Sequence, residues 1–145
     1  MNQSKEYRKS RKCVFLMHVH LIFVTKYRKV VISGRVLNDL RKIFANVCQD
    51  FEAQMVECNG EGDHIHLLIN YHPKVSISSI VNSLKGVSSR LIRKMCYPEV
   101  QNALWGKSFW SPSYFASSCG GAPISVIQKY VKEQSCLIGE LSSRP

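Results

Sequence analysis

Eight residues near the middle of the chain, Gly62-Asp63-His64-Ile65-His66-Leu67-Leu68-Ile69, constrain both its fold and its chemistry. The stretch reads as a β-strand. Side chains alternate across a strand, so His64 and His66 leave from one face while Ile65, Leu67 and Ile69 point into a core. Two imidazoles side by side on an otherwise apolar strand can hold two coordination positions of a divalent metal. An inert, hydrogen-bonded pair at a half-exposed strand end would have the same spacing.

Charge bears on what such a strand serves. The 145 residues suit one domain, 1–145, with a core of its own. Lys and Arg number 20 against 10 Asp and Glu, a net charge of +10. That excess favours a polyanionic partner, nucleic acid first, although a solvated basic face is the ordinary alternative. Only Glu57, Glu61 and Asp63 cluster near the histidines, which argues against chemistry built on paired carboxylates. The six cysteines show no spacing of a zinc knuckle or a redox dithiol. Residues 1–12 are polar and basic with no signal-peptide pattern, and the apolar run 13–24 is too short to span a bilayer. A cytoplasmic protein with reduced cysteines and no membrane is expected.

Patterning along the chain predicts a long buried strand over 13–25, then the basic cluster Lys26-Tyr27-Arg28-Lys29. A helix is expected from Ser33-Gly34 to about residue 51, and a second strand over 53–58. Asn59-Gly60-Glu61-Gly62 gives a hairpin-turn signal into the His64–Asn70 strand. A second helix covers 75–95, with Ser83, Lys85, Ser88, Ser89, Arg90 and Arg93 on its polar side. A loop is expected over 97–107 and a fourth strand over 108–118, interrupted by Pro112. Gly120-Gly121 forms a joint, and Pro123 opens a last helix over about 123–138. The order β-α-β-β-α-β plus a C-terminal helix predicts an α+β, ferredoxin-like antiparallel sheet, core about 13–118. Both helices would cover one face and leave the other open to a ligand.

On the final helix, Tyr130 and Gln134 stand four apart and emerge on one face. A tyrosine half-buried on an amphipathic helix is the plain reading. A phenol can also attack phosphorus and hold the product as an ester, if a metal or base helps it deprotonate. A second histidine pair, His18-Val19-His20, has the same spacing as His64 and His66, and periodicity does not decide which pair would bind metal.

Asp63-His64-Ile65-His66-Leu67-Leu68 resembles the histidine–hydrophobic–histidine motif of the HUH endonucleases. Three further segments look like the single-tyrosine transposases of insertion-sequence-200-like elements. They are His20-Leu21-Ile22-Phe23-Val24-Thr25-Lys26-Tyr27-Arg28, Lys85-Gly86-Val87-Ser88-Ser89-Arg90 and Trp105-Gly106-Lys107-Ser108-Phe109-Trp110-Ser111-Pro112-Ser113-Tyr114-Phe115. The resemblance covers residues 13–136. It implies a homodimer that cleaves and rejoins single-stranded DNA at hairpin-marked element ends. By this resemblance His64 and His66 hold Mg²⁺ or Mn²⁺, Gln134 is a third ligand, and Tyr130 is the nucleophile that forms a 5′-phosphotyrosine. The tyrosine helix of one subunit would complete the histidine site of the other. His18 and His20 become sheet elements, and Asp63 either orients a ligand histidine or simply makes the turn. Lys26, Arg28, Lys29, Lys85, Arg90 and Arg93 are the candidate phosphate contacts, and Tyr27 a candidate for stacking on a base. The competing readings are a domesticated or replication-type HUH nickase, a non-catalytic nucleic-acid module of RNA-recognition type, and a structural metal-binding dimer.

Overall fold

The computed structural model describes residues 7–104, 106 and 108–118. The expected helix over 123–138, with Tyr130 and Gln134, and the Gly120-Gly121 joint lie outside the described residues, as do Trp105 and Lys107.

A four-stranded antiparallel sheet organises the chain, in the order β4-β5-β3-β6. Its strands are β3 (His18–Thr25), β4 (Gln54–Glu61), β5 (His64–Asn70) and β6 (Trp110–Ser118). Helix α1 (Gly34–Asp50) joins β3 to β4, and α2 (Ile77–Lys94) joins β5 to β6. This is the ferredoxin-like α+β arrangement expected from the element order. Ser33 caps α1 by accepting from Val36 N, and Ser76 caps α2 by accepting from Ser79 N, each satisfying a donor the helix leaves free.

Both helices pack on one sheet face. Val36, Leu40, Phe44 and Val47 of α1 and Ile80, Val81, Leu84 and Ile92 of α2 are buried against Val19, Leu21 and Phe23 of β3 and Ile65, Leu67 and Ile69 of β5. The alternating half of each strand, His18, His20, Ile22 and Val24 on β3 and His64, His66, Leu68 and Asn70 on β5, therefore leaves from the far face. Among the described residues no helix covers that face, yet it is not fully open. His20, Ile22 and Val24 are buried, and Ile22 and Val24 form a small cluster with Phe115.

Four local expectations are corrected. The run 13–25 is two strands: β2 (Cys13–Phe15) pairs in a hairpin with β1 (Arg8–Ser10), and β3 begins at His18. Between them the Met17 carbonyl accepts from Tyr71 N and the pairing passes to β5. No glycine or proline marks this break, so an apolar run conceals it. The hairpin turn falls at Gly62-Asp63, because Asn59, Gly60 and Glu61 pair with His66, Ile65 and His64 as part of β4. Gly62, at φ 66°, occupies the left-handed region such a two-residue turn requires, which glycine reaches without a Cβ penalty. The expected loop over 97–107 contains a short helix, α3 (Pro98–Gln101), with proline in its first turn. Finally, β6 starts at Trp110, and the chain keeps strand geometry through Pro112. Proline is tolerated there because β6 is an edge strand and the ladder shifts register between Phe23 and Thr25, whose partners are Tyr114 and Trp110.

Candidate metal centre and nucleic-acid interface

The β-hairpin that ends at Gly62-Asp63 delivers His64 and His66 to the far face of the sheet. Their ring centroids are 5.0 Å apart. His66 also stacks on His20 of the neighbouring strand, at 5.8 Å and 19° between planes, and His20 meets Phe115 edge-on. The second pair thus splits. His18 is buried at the end of β3 opposite Asn70, while His20 forms a wall against which His66 stands.

The electrostatics suit neutral imidazoles. Burial, reinforced by the neighbouring His64 and His20, pulls the His66 ring down to about 4, and burial does the same to His20. His66 Nδ1 is buried and has no hydrogen-bond partner among the described residues. His64 Nδ1 lies 3.0 Å from Asp63 Oδ1, a contact that in a neutral ring puts the proton on Nδ1 and the lone pair on Nε2. An orphaned ring nitrogen and an oriented neighbour form a donor pair that fits a divalent cation. Among the described residues no group of three or more His, Cys, Asp and Glu side chains completes a site, so His64 and His66 need donors from elsewhere.

A basic loop is stapled to the same hairpin. After β3 the chain makes one 3-10 turn, Lys26–Arg28, with Tyr27 (φ 58°) and Arg28 (φ 53°) in the left-handed region. Non-glycine residues held there cost about 1–2 kcal/mol each, and the surroundings must hold them. Thr25 does much of this: its backbone N donates to the Asp63 carbonyl at 2.9 Å, and its buried hydroxyl donates to the Lys29 carbonyl at 2.7 Å. Val31 N and Ile32 N both donate to the Gly62 carbonyl. Arg28 Nε closes the contact from outside, 2.8 Å from Asp63 Oδ2. Burial alone would raise the Asp63 carboxyl, but hydrogen bonds from His64 and Arg28 outweigh it and hold the group below its ordinary value.

The basic residues expected on phosphates divide into two groups. Lys26, Tyr27 and Lys29 line a cleft of about 640 Å³, faced by Asn102, Ala103, Leu104, Gly106 and Ser108. Tyr27 is 78 % exposed, with the Lys26 ammonium 5.4 Å from its ring centroid. Arg90 is exposed on α2 beside a shallow groove that Gly86, Ser89, Arg93 and Lys94 also line. Arg28, Lys85 and Arg93 instead have partners within the chain. Lys85 Nζ donates to the carbonyls of Ser111, at 2.6 Å, and Ser113, at 3.4 Å, and burial pulls its ammonium down to about 8. Arg93 Nη1 donates to the Leu104 carbonyl at 3.0 Å. Ser88 and Ser89, on the same helix side, accept from Trp110 Nε1 and Phe109 N and so hold the start of β6.

Sequence reasoning did not find the wall formed by His20 or the ion pair of Arg28 with Asp63. Both join residues 35 to 46 apart in the chain, and only Thr25, a small hydroxyl at the end of an apolar strand, hinted at a closed turn.

Residues 13–134 match the family model described as transposase IS200 like. The chain is 33 % identical over 129 residues to the ISDra2 transposase TnpA of Deinococcus radiodurans, covering 89 % of this chain and 91 % of that one. It is 29 % identical over 115 residues to the transposase for insertion sequence element IS200 of Salmonella typhimurium, covering 79 % of this chain and 74 % of that one. Its fold superposes on the crystal structure of a Deinococcus radiodurans transposase with a TM-score of 0.69 at 30 % identity, over 88 % and 97 % of the two chains. A REP-associated tyrosine transposase bound to a REP hairpin shares the fold alone, with a TM-score of 0.55 at 14 % identity over 88 % and 68 %. With the histidine pair on its sheet and a family match across most of its length, the chain belongs to the IS200-like transposase family.

Proposed function

We propose that this transposase cleaves and rejoins single-stranded DNA at hairpin-marked ends by transesterification through Tyr130. The observation that carries the reading is the far-face pair, with His66 neutral and, among the described residues, unpartnered at Nδ1, and His64 turned by Asp63 so that its Nε2 is the open nitrogen. His64 and His66, with Gln134, would hold Mg²⁺ or Mn²⁺. A divalent cation bound there supplies positive charge beside the scissile phosphate and lowers the cost of the charge that develops on its oxygens.

The phenolic oxygen of Tyr130 attacks phosphorus and the bond to the 3′-oxygen breaks. A 5′-phosphotyrosine and a free 3′-hydroxyl result. A 3′-hydroxyl from the same or another cleaved end then attacks the phosphotyrosine and restores the tyrosine. One phosphodiester is exchanged for another, so no ATP and no ligase are required. Lys26, Lys29 and Arg90 are the side chains offered to phosphates, with Tyr27 for a base. Arg28, Lys85 and Arg93 already bond Asp63, the start of β6 and Leu104 within the chain. The working unit is a homodimer in which one subunit's tyrosine helix serves its partner's histidines.

The test uses single-stranded oligonucleotides copied from both flanks of the gene, incubated with the protein and Mg²⁺ or Mn²⁺. A metal-dependent covalent adduct on a denaturing gel, formed with single strands but not duplex and absent in Tyr130→Phe and His64→Ala, is the expected result. An adduct that survives Tyr130→Phe would remove the nucleophile from this reading. Tight hairpin binding without any adduct would favour a domesticated binder.

A further inference from the structure

We propose that Asp63 is a positioning residue for His64, and that Arg28 holds it in that task, so that the basic turn governs the state of the histidine. The proposal rests on the reading of His64 as a metal ligand, and deepens it.

Three observations support it. The Asp63 carboxylate is divided between two donors, Oδ1 to His64 Nδ1 at 3.0 Å and Oδ2 to Arg28 Nε at 2.8 Å. The carboxylate side chain is only 17 % exposed, whereas the Arg28 side chain is 50 % exposed. Asp63 is thus the sheltered member of the relay, and its guanidinium partner faces solvent. Arg28 also has a left-handed backbone inside the Lys26–Arg28 turn, a conformation held by Thr25 and by the Gly62-Asp63 backbone. Here it brings the guanidinium back over the hairpin.

The consequence is chemical. A free imidazole carries its proton on either nitrogen, and only the unprotonated one can bind a cation. A carboxylate at Nδ1 keeps the proton there and leaves Nε2 as the donor. With Arg28 in place, both carboxylate oxygens have a donor. Without Arg28, that side chain is free to turn towards water. A phosphate that draws Arg28 away from Asp63 would therefore loosen His64, which links occupation of the turn by DNA to the readiness of the site.

The experiment reads the His64 ring in the metal-free protein by ¹⁵N NMR at fixed neutral pH, and separately titrates Mn²⁺. The wild type is expected to show Nδ1 protonated and Nε2 unprotonated. Asp63→Ala should give a tautomer mixture shifted towards Nε2–H, with Mn²⁺ affinity lower by about 10–100-fold. Arg28→Gln should give an intermediate mixture and a smaller loss. Well-dispersed backbone spectra of both variants separate these effects from unfolding. An unchanged His64 tautomer in both variants would overturn the proposal, and a change in Asp63→Ala alone would remove Arg28 from the relay. Failure of the wild type to bind Mn²⁺ would count against the metal reading of the pair, while the ring signals would still decide the relay.

Discussion

Each histidine of the site has its chemistry set by a different neighbour. His64 is governed by a carboxylate and His66 by burial against His20. His20 and His66, both near 4, stay neutral in the folded chain where unfolded histidines protonate near 6.5. The unfolded state therefore binds more protons between those values, so stability falls as the pH drops from 6.5 to 4. The slope is at most about 1.4 kcal/mol per pH unit for each ring. Thermal melts of the metal-free protein from pH 7 to pH 4 should show the loss, and His20→Asn should flatten it. Metal preference belongs to this scale too. Imidazole nitrogen suits Mn²⁺ better than Mg²⁺, which prefers oxygen and keeps its water. Calorimetry should find tighter binding of Mn²⁺, and none measurable for His66→Ala.

At the level of elements, two contacts hold the site in register. A Cβ on Gly60 would stand 2.4 Å from the His64 carbonyl oxygen and 2.8 Å from Ile65 Cα, so β4 and β5 must part to accept one. Gly60→Ala should cost about 1–3 kcal/mol, read by urea melts, and reduce adduct formation by displacing His64. Lys85 ties α2 to both sides of Pro112 through the Ser111 and Ser113 carbonyls. Lys85→Met should therefore lower stability by about 1.5–3 kcal/mol while leaving the salt dependence of DNA binding unchanged. These elements also divide what was legible in the chain from what was not. Strand β5 was readable to its ends, because apolar alternation and a glycine turn agree on the same register. The helices were readable from their apolar spacing, and α1 from Ser33 at its start as well, whereas α2 begins at Ile77 behind its Ser76 cap and not at residue 75. The division of 13–25 into β2 and β3 was hidden, since Phe15 and His18 are buried on either side of Leu16-Met17 and no glycine, proline or charge marks the break. The positions of His64 and His66 were legible, and Asp63 stood as one of two readings for a histidine's partner, but the parts of His20 and Arg28 were not legible. A strand pattern says which face a side chain leaves from, and nothing about an arginine that returns from another loop.

For the molecule as a whole, the net charge of +10 would, on the proposed reading, set how strongly DNA is drawn in, and the basic loops where it lands. If Lys26, Lys29 and Arg90 each meet one phosphate, the logarithm of single-strand affinity should fall with log salt at a slope of roughly −2 per subunit. Lys29→Ala should reduce that slope by about 0.7 without altering sequence preference, measured by fluorescence anisotropy across a salt series. The order β4-β5-β3-β6 has a further consequence. Strands β5 and β3 are each laddered on both edges, so the backbone under His20, His64 and His66 opens only when the sheet itself comes apart. Its amides should be among the last to exchange with heavy water, close to the limit set by global unfolding. A ring anchored there has almost no freedom to adjust to a misplaced phosphate. On the proposed reading the histidines are a fixed gauge, and a DNA strand would be accepted or refused by how well it can be brought up to them.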